Sequence, residues 1–367
     1  MSTAKKTTAF SWPLLGVTMT IVVVGLVNLY SAVYFWGEGG SQQLFWSQLV
    51  WTVIGSVIMV LVAALDYRIF YRFSYVFYIL VSILLVLALI LGQAVRGTHG
   101  WIQLGPVSLQ PAEFAKLAYI FVAARYFANN PNPDGYRLLE LWKPGLLMLI
   151  SFTLIVVQGD MGSSLFIICI FISMSLFAKV KKRTIVSCAI LAAIVAIGVY
   201  NFGLKDYQKE RIFTFMNPEA DVRGGGYHLM QSKIAVGSGQ MFGKGYLKGN
   251  INKLRYLPER HTDFIFPVFA EEWGFFGSLL LLALYAALLL IGIDIGSHAR
   301  DRFGAFVAIG VVSLLFWQLA INLGGVLGLM PLTGVTLPLM SYGGSSMIAI
   351  MASIGLLFSI YRRRFMF

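Results

Sequence analysis

Uninterrupted apolar stretches long enough to cross a bilayer recur along the chain, and this constrains its fold more than any other feature. Breaks at charged or Gly/Pro-rich positions separate runs near 12–35, 44–65, 71–93, 113–128, 144–159, 162–178, 184–203, 264–293, 303–328 and 341–361. A helix needs about 20 apolar residues to span about 30 Å of hydrocarbon. In lipid, every backbone N–H and C=O must be satisfied internally, so spanning segments are helices or closed barrels. The ten-residue alternation of a barrel strand is absent. With 58% hydrophobic and 12% charged residues, the chain reads as one all-α integral membrane domain over 1–367, with about ten transmembrane helices. The run from Trp12 exceeds a signal peptide's apolar region, and further spans follow it, so it reads as a retained first span.

Charge placement gives a topology. With the N-terminus cytoplasmic, 16 of the 28 Lys/Arg fall in short inside segments, among them Arg68, Arg72, Arg125, the Lys179–Arg183 cluster and Arg362 to Arg364. Short outside loops hold almost none apart from Arg96. Both termini are then cytoplasmic. A large loop, 203–263, between the seventh and eighth spans is extracytoplasmic. It carries ten Lys/Arg and six acids. Attraction to anionic membrane lipids explains such a loop, and so does a phosphate-bearing ligand at the outer leaflet. Nucleic acid is a poor partner for basic residues interleaved with Gly and apolar residues and facing away from the cytoplasm.

Ionisable residues within or at the outer ends of spans are costly and therefore candidates for function. Glu113 and Lys116, three apart on a helix that Pro111 would initiate, share a face and can pair. They read equally as a structural ion pair or as the wall of a polar cavity. Asp160 sits in a tight outward turn, Gln158-Gly-Asp-Met-Gly162. Asp263 ends the large loop at the head of the eighth span, after Arg260 and His261. A helix cap is one reading of it. The other is a general base that the following Phe264-Ile-Phe266 run helps to desolvate. Glu271 and Glu272 lie two turns deeper. Cys169 and Cys188 fall in apolar runs and suggest neither disulfide nor zinc site, and the four histidines are scattered. No soluble-enzyme motif or metal-ligand spacing is present, although a divalent cation such as Mg2+ bridging a phosphate and one or two carboxylates would leave little trace.

Several long motifs, in order, resemble the shape, elongation, division and sporulation (SEDS) family over nearly the whole chain. They are Gly100-Trp-Ile-Gln-Leu-Gly105, Gln110-Pro-Ala-Glu-Phe-Ala-Lys116, Gln158-Gly-Asp-Met-Gly162, Asp206-Tyr-Gln-Lys-Glu-Arg211, the Gly226–Gly239 stretch, Leu257-Pro-Glu-Arg-His-Thr-Asp-Phe-Ile-Phe266 and Leu337-Pro-Leu-Met-Ser-Tyr-Gly-Gly-Ser345. Arg260 before His261 is similar to the elongation branch, since the division branch usually has Ala there. The chain departs from the usual family text at Ala112 and Gly159, where Ser and Pro are common.

The resemblance implies a peptidoglycan glycosyltransferase that polymerises lipid II, the undecaprenyl-diphosphate-linked disaccharide-pentapeptide, at the outer face of the bacterial cytoplasmic membrane during elongation. It implies a class B penicillin-binding protein as partner. By motif, Asp263 is the catalytic carboxylate, Glu113 and Lys116 a cavity ion pair, and Asp160 a further functional acid. Trp101, Arg211, Lys233, Arg260 and His261 are further candidates for the substrate cavity, with cations such as Arg211, Lys233 or Arg260 stabilising the leaving diphosphate. No resident cofactor is certain. The competing reading is a lipid II flippase, which ten spans with intramembrane Glu and Lys would also suit. Against it stand the lack of an internal repeat and the clustering of the acids toward the outer leaflet. A scaffold that only recruits the penicillin-binding protein is a third reading.

Overall fold

A computed structural model describes residues 10–35, 40–95, 98–105, 107–198, 215–216, 225–253 and 260–364. Ten long helices lie where the apolar runs fall. They are α1 (Trp12–Tyr34), α2 (Gly40–Ala64), α3 (Tyr67–Leu91), α4 (Pro111–Asn129), α5 (Trp142–Val157), α6 (Met161–Phe177) and α7 (Lys182–Gly198), followed after the large loop by α9 (Ile265–Ser297), α10 (Arg302–Val326) and α11 (Gly344–Arg363). Between α7 and α9, a shorter helix α8 (Gly225–Ser238) belongs to the loop. Among the described residues, seven helical segments meet the length and apolarity expected of a bilayer span. The others are shorter or, like α4 with Glu113 and Lys116, carry charge.

The purely helical expectation misses one element. Residues 93–109, read as a break between spans, form a small antiparallel sheet of β1 (Gln93–Val95), β2 (Thr98–Leu104) and β3 (Val107–Leu109), in the order β1-β2-β3. β2 and β3 pair Ile102 with Leu109 and Leu104 with Val107. Gly105, at φ 65°, makes the turn between them, in a region that glycine enters without a Cβ clash.

Layering separates lipid-facing from central helices. About 72% of the apolar window of α11 and 67% of that of α10 is buried, against 22% for α2. The outward faces of α2, α3 and α9 expose Val60, Leu61, Ile90, Leu280 and Leu290. Such continuous apolar surface suits hydrocarbon and not water. Small residues let the central helices close in: a Cβ on Gly355 of α11 would lie 2.6 Å from the carbonyl oxygen of Met59 on α2. Close approach of this kind is the main source of helix association in lipid, where the hydrophobic effect is absent.

Polar bonds tie the helix ends at one side of the bundle. Tyr67 Oη donates to Asp301 (2.7 Å), Ser359 Oγ to the Leu65 carbonyl (2.7 Å), Arg363 Nη2 to the Ala64 carbonyl (2.9 Å), and Arg125 Nη1 to the Tyr71 and Arg72 carbonyls (3.1 and 3.2 Å). The 25 residues of α3 separate this end from the sheet end by about 37 Å, at about 1.5 Å per residue. The segments that hold the candidate acids therefore collect at the side opposite this Arg-rich one.

Helix α9 is not straight. Gly274 adopts φ 68°, ψ −163° and breaks it. Loop residues 239–249 dock into the break: Lys244 N and Gly245 N donate to the carbonyls of Glu271 and Glu272 (both 3.0 Å), and Phe275 N donates to the Gln240 carbonyl (2.8 Å). Lys244 Nζ meets buried Glu271 at 2.7 Å, and Ser31 of α1 donates to Glu272. Tyr246 donates to the Val27 carbonyl at 3.2 Å, and burial raises its phenol above the ordinary value, which keeps it a donor. Glu271 and Glu272 therefore fasten loop residues 239–249 and α1 to α9.

Candidate functional site

A cavity of about 430 Å³ opens among the helix ends at the side opposite the Arg-rich one. Its walls come from four stretches distant in sequence, β2 to the start of α4, the α5–α6 turn, the entry to α9, and residues 333–346 leading into α11, with Trp51 of α2 and Gln318 of α10. Glu113, Asp160 and Asp263 all line it, together with Trp101 and His261.

Each acid is placed by a local device. Pro111 stands at the first position of α4, where its missing N–H costs nothing. Glu113 then lies in the first turn, near the positive end of the helix dipole. Lys116 Nζ meets Glu113 Oε1 at 2.7 Å and sits 4.8 Å from the centre of the Phe166 ring; its side chain is 1% exposed. Asp160 caps α6, accepting from Ser163 N through Oδ1 (2.9 Å), while its Oδ2 accepts from Gln110 Nε2 at 2.8 Å. The turn-carboxylate reading of Asp160 thus holds for one oxygen, and the other belongs to a polar contact across the cavity wall. Gly159, at φ 87°, makes that turn. Proline, fixed near −65°, cannot adopt this conformation, so the departure from the family text is tied to a specific turn geometry.

Asp263 is not a helix cap. Phe264 occupies the cap position of α9, without a side-chain cap bond. Phe264, Ile265 and Phe266 are buried, while Asp263 keeps partial exposure. Three consecutive carbonyls hold this segment: Tyr342 N donates to His261 O (2.8 Å), Ser341 Oγ to Thr262 O (2.6 Å), and Asn322 Nδ2 to Asp263 O (3.0 Å). Gln48 of α2 holds the clamping loop in turn, donating to the Ser341 carbonyl and accepting from Gly343 N (both 3.1 Å).

Not every sequence candidate reaches the cavity. Lys233 lies on the exposed face of α8 with its ammonium group beside Gly328, away from the lining residues. Its helix packs on α9 and α10, which carries the side chain to the bundle's flank. Arg260 is fully buried and also absent from the lining. Arg211 lies outside the described residues, as does much of the 203–263 loop.

Several lining residues escaped sequence reasoning. Gln318 of α10 donates to Thr336 Oγ1 (3.2 Å) and Ser346 Oγ (3.5 Å). Ser345 Oγ accepts from Gln110 N at 3.0 Å and donates to the Ser108 carbonyl at 3.3 Å. The available signal was the amide pair Gln318 and Asn322, four apart on one face of an otherwise apolar helix. Hydroxyls and amides around three carboxylates suit a polyhydroxylated ligand, and the carboxylates can accept a proton.

Fold and cavity define a polytopic membrane protein with an acid-lined polar pocket at one end of its bundle. Residues 12–365 match the family model described as cell cycle protein, which covers FtsW, RodA and SpoVE. The chain belongs to that family, the SEDS family that its motifs resemble. It is 37% identical over 352 residues to the peptidoglycan glycosyltransferase MrdB of Escherichia coli K12, covering 95% of this chain and 93% of the relative. It is 31% identical to the peptidoglycan glycosyltransferase RodA of Treponema pallidum, covering 97% and 98%. Among solved structures, a chain of a peptidoglycan synthase complex that coordinates polymerization and crosslinking superimposes with a TM-score of 0.83 at 32% identity, over 98% of this chain and 99% of that one. The rod shape determining protein RodA of Thermus thermophilus gives 0.73 at 29% identity, with the same coverage.

Proposed function

We propose that the cavity polymerises lipid II into glycan strands, with Asp263 as the base. The chain is a peptidoglycan glycosyltransferase, in keeping with the names of its relatives. The observation that carries the site assignment is the convergence of Asp263, Asp160 and Glu113 on one cavity. In the inverting reaction, the acceptor sugar's hydroxyl oxygen attacks the donor's anomeric carbon and its proton passes to the Asp263 carboxylate. The bond from that carbon to the diphosphate oxygen breaks, releasing undecaprenyl diphosphate. Attack must come from the face opposite the leaving group, so base and diphosphate lie on opposite sides of the reacting carbon. A base held in place contributes roughly 10²–10⁴-fold.

Among the described residues, no three His, Cys, Asp or Glu side chains converge as a metal cage. A divalent cation here would be shared between one or two of the cavity carboxylates and the diphosphate. Positive-inside charge supports a cytoplasmic-membrane orientation with both termini inside and the cavity at the outer leaflet. The likeness to a synthase complex supports a class B penicillin-binding protein as partner.

The test supplies labelled lipid II to the purified chain with that partner. Wild type elongates glycan strands and Asp263→Asn does not. Equal product from both, or none from wild type, defeats the reading. Labelled lipid II in proteoliposomes keeps its sidedness if the chain polymerises without flipping.

A further inference from the structure

We infer that Asn322 is a positioning residue for Asp263. The inference rests on Asp263 being the base, as proposed above.

An amide inside an apolar helix is costly unless both its protons are used. Asn322 is 4% exposed on α10, and its Nδ2 donates to two backbone carbonyls, Asp263 O at 3.0 Å and Val335 O at 2.6 Å. These acceptors lie on different walls of the cavity: one precedes α9, and the other belongs to the extended 333–336 segment of the lining. Val335 follows Gly334, at φ 70°, where an added Cβ would stand 3.4 Å from Asp263 Oδ2. The amide therefore sets how far the acid-bearing turn stands from the backbone that its carboxylate faces.

Loop residues supply two more bonds to this turn, from Tyr342 N and Ser341 Oγ. Asn322 ties it to a membrane helix whose window is 67% buried. Without the amide, the Asp263 and Val335 carbonyls lose this donor, and the turn is free to shift relative to α10. A shift of about 1 Å at a reacting group reduces turnover by about 100-fold without weakening binding made elsewhere.

The experiment compares Asn322→Leu, Asn322→Ser and Asp263→Asn in the full chain with its partner. Lipid II turnover is measured across substrate concentrations, per monodisperse molecule. Leu removes the donor at similar size. Ser is the milder change, too short to reach both carbonyls, and decides the matter if the Leu variant does not fold. Expected is a kcat lower by about 100-fold for Leu and at least about 10-fold for Ser, with KM within about 3-fold of wild type. Wild-type kcat in the folded variants, or a raised KM at unchanged kcat, overturns the inference. When Asp263→Asn is inactive in the same series, such a result leaves the Asp263 assignment standing. An active Asp263→Asn removes the base assignment itself, whatever the Asn322 variants do.

Discussion

The Glu113–Lys116 pair offers the sharpest separation of scaffold from chemistry. Its charged atoms are 2.7 Å apart, with the lysine side chain 1% and the glutamate side chain 8% exposed. At an effective dielectric of about 20, unit charges at that distance attract by about 6 kcal/mol, offset by the desolvation of both groups. Lys116→Met strands a buried carboxylate and Glu113→Gln strands a buried ammonium. Each is expected to destabilise the protein by about 3–5 kcal/mol, the usual consequence of breaking a buried pair from one side. The double variant removes both charges and is expected to recover most of the loss of either single, which requires a coupling larger than that single loss, more than about 3 kcal/mol. Midpoints of thermal loss of the monodisperse peak in detergent report the ranking, and polymerisation of labelled lipid II reports chemistry. The expected pattern is a double variant that is stable yet inactive, because Glu113 lines the cavity. A double variant destabilised by the sum of the two singles refutes the coupling. One that is both stable and active makes the pair a structural anchor and removes Glu113 from the reaction.

Other expectations follow from single positions. Gly159→Pro, which restores common family text, should lower thermal stability and cut polymerisation, because the ring cannot reach φ 87°; wild-type behaviour would mean the turn has a second accessible conformation. Gly162→Ala places a Cβ 2.6 Å from the Thr333 carbonyl oxygen on the cavity wall. Turnover should fall by about tenfold or more, from misplacement of a wall that faces the acids. Gly274→Ala combines a left-handed φ of 68° with a Cβ 2.2 Å from Gly243 N. It should release the docked loop, visible as faster amide exchange or proteolysis at 239–249, while protection of α10 stays unchanged. Lys233→Met, away from the cavity, should leave kcat and KM within about twofold of wild type.

Much of the fold was legible because its solvent is uniform: an apolar run of span length admits few conformations in lipid, and ten helices lie on the ten runs. The sheet at 93–109 was not legible. Its strands are three to seven residues long, and its Thr, Gly and Gln residues resemble any interfacial loop. The break at Gly274 was hidden because the apolar pattern continues through it. At the site, the acids stood out as expensive residues near span ends, and Asp160, Glu113 and Asp263 do face one cavity. Lys233 and Arg260 are absent from the lining, and a basic loop does not reveal which of its cations face a cavity. The polar wall from Thr333 to Ser346 was recognisable as a motif without a role, since its partners Gln48, Gln110 and Asn322 are scattered over three helices.

The discontinuity in α9 bears on how the protein meets membranes of different thickness. Unbroken, its 33 residues would measure about 50 Å, well beyond the hydrocarbon layer. From Phe275 to Ser297 the rise is about 35 Å, which fits a bilayer with modest tilt. A thinner or thicker bilayer can then be met by tilting this lower portion about Gly274. The segment from Ile265 to Trp273, bonded to α1 and to loop residues 239–249 and packed on α10, need not follow. Glycan synthesis is then expected to vary less with acyl-chain length than does the tilt of the span beneath the break.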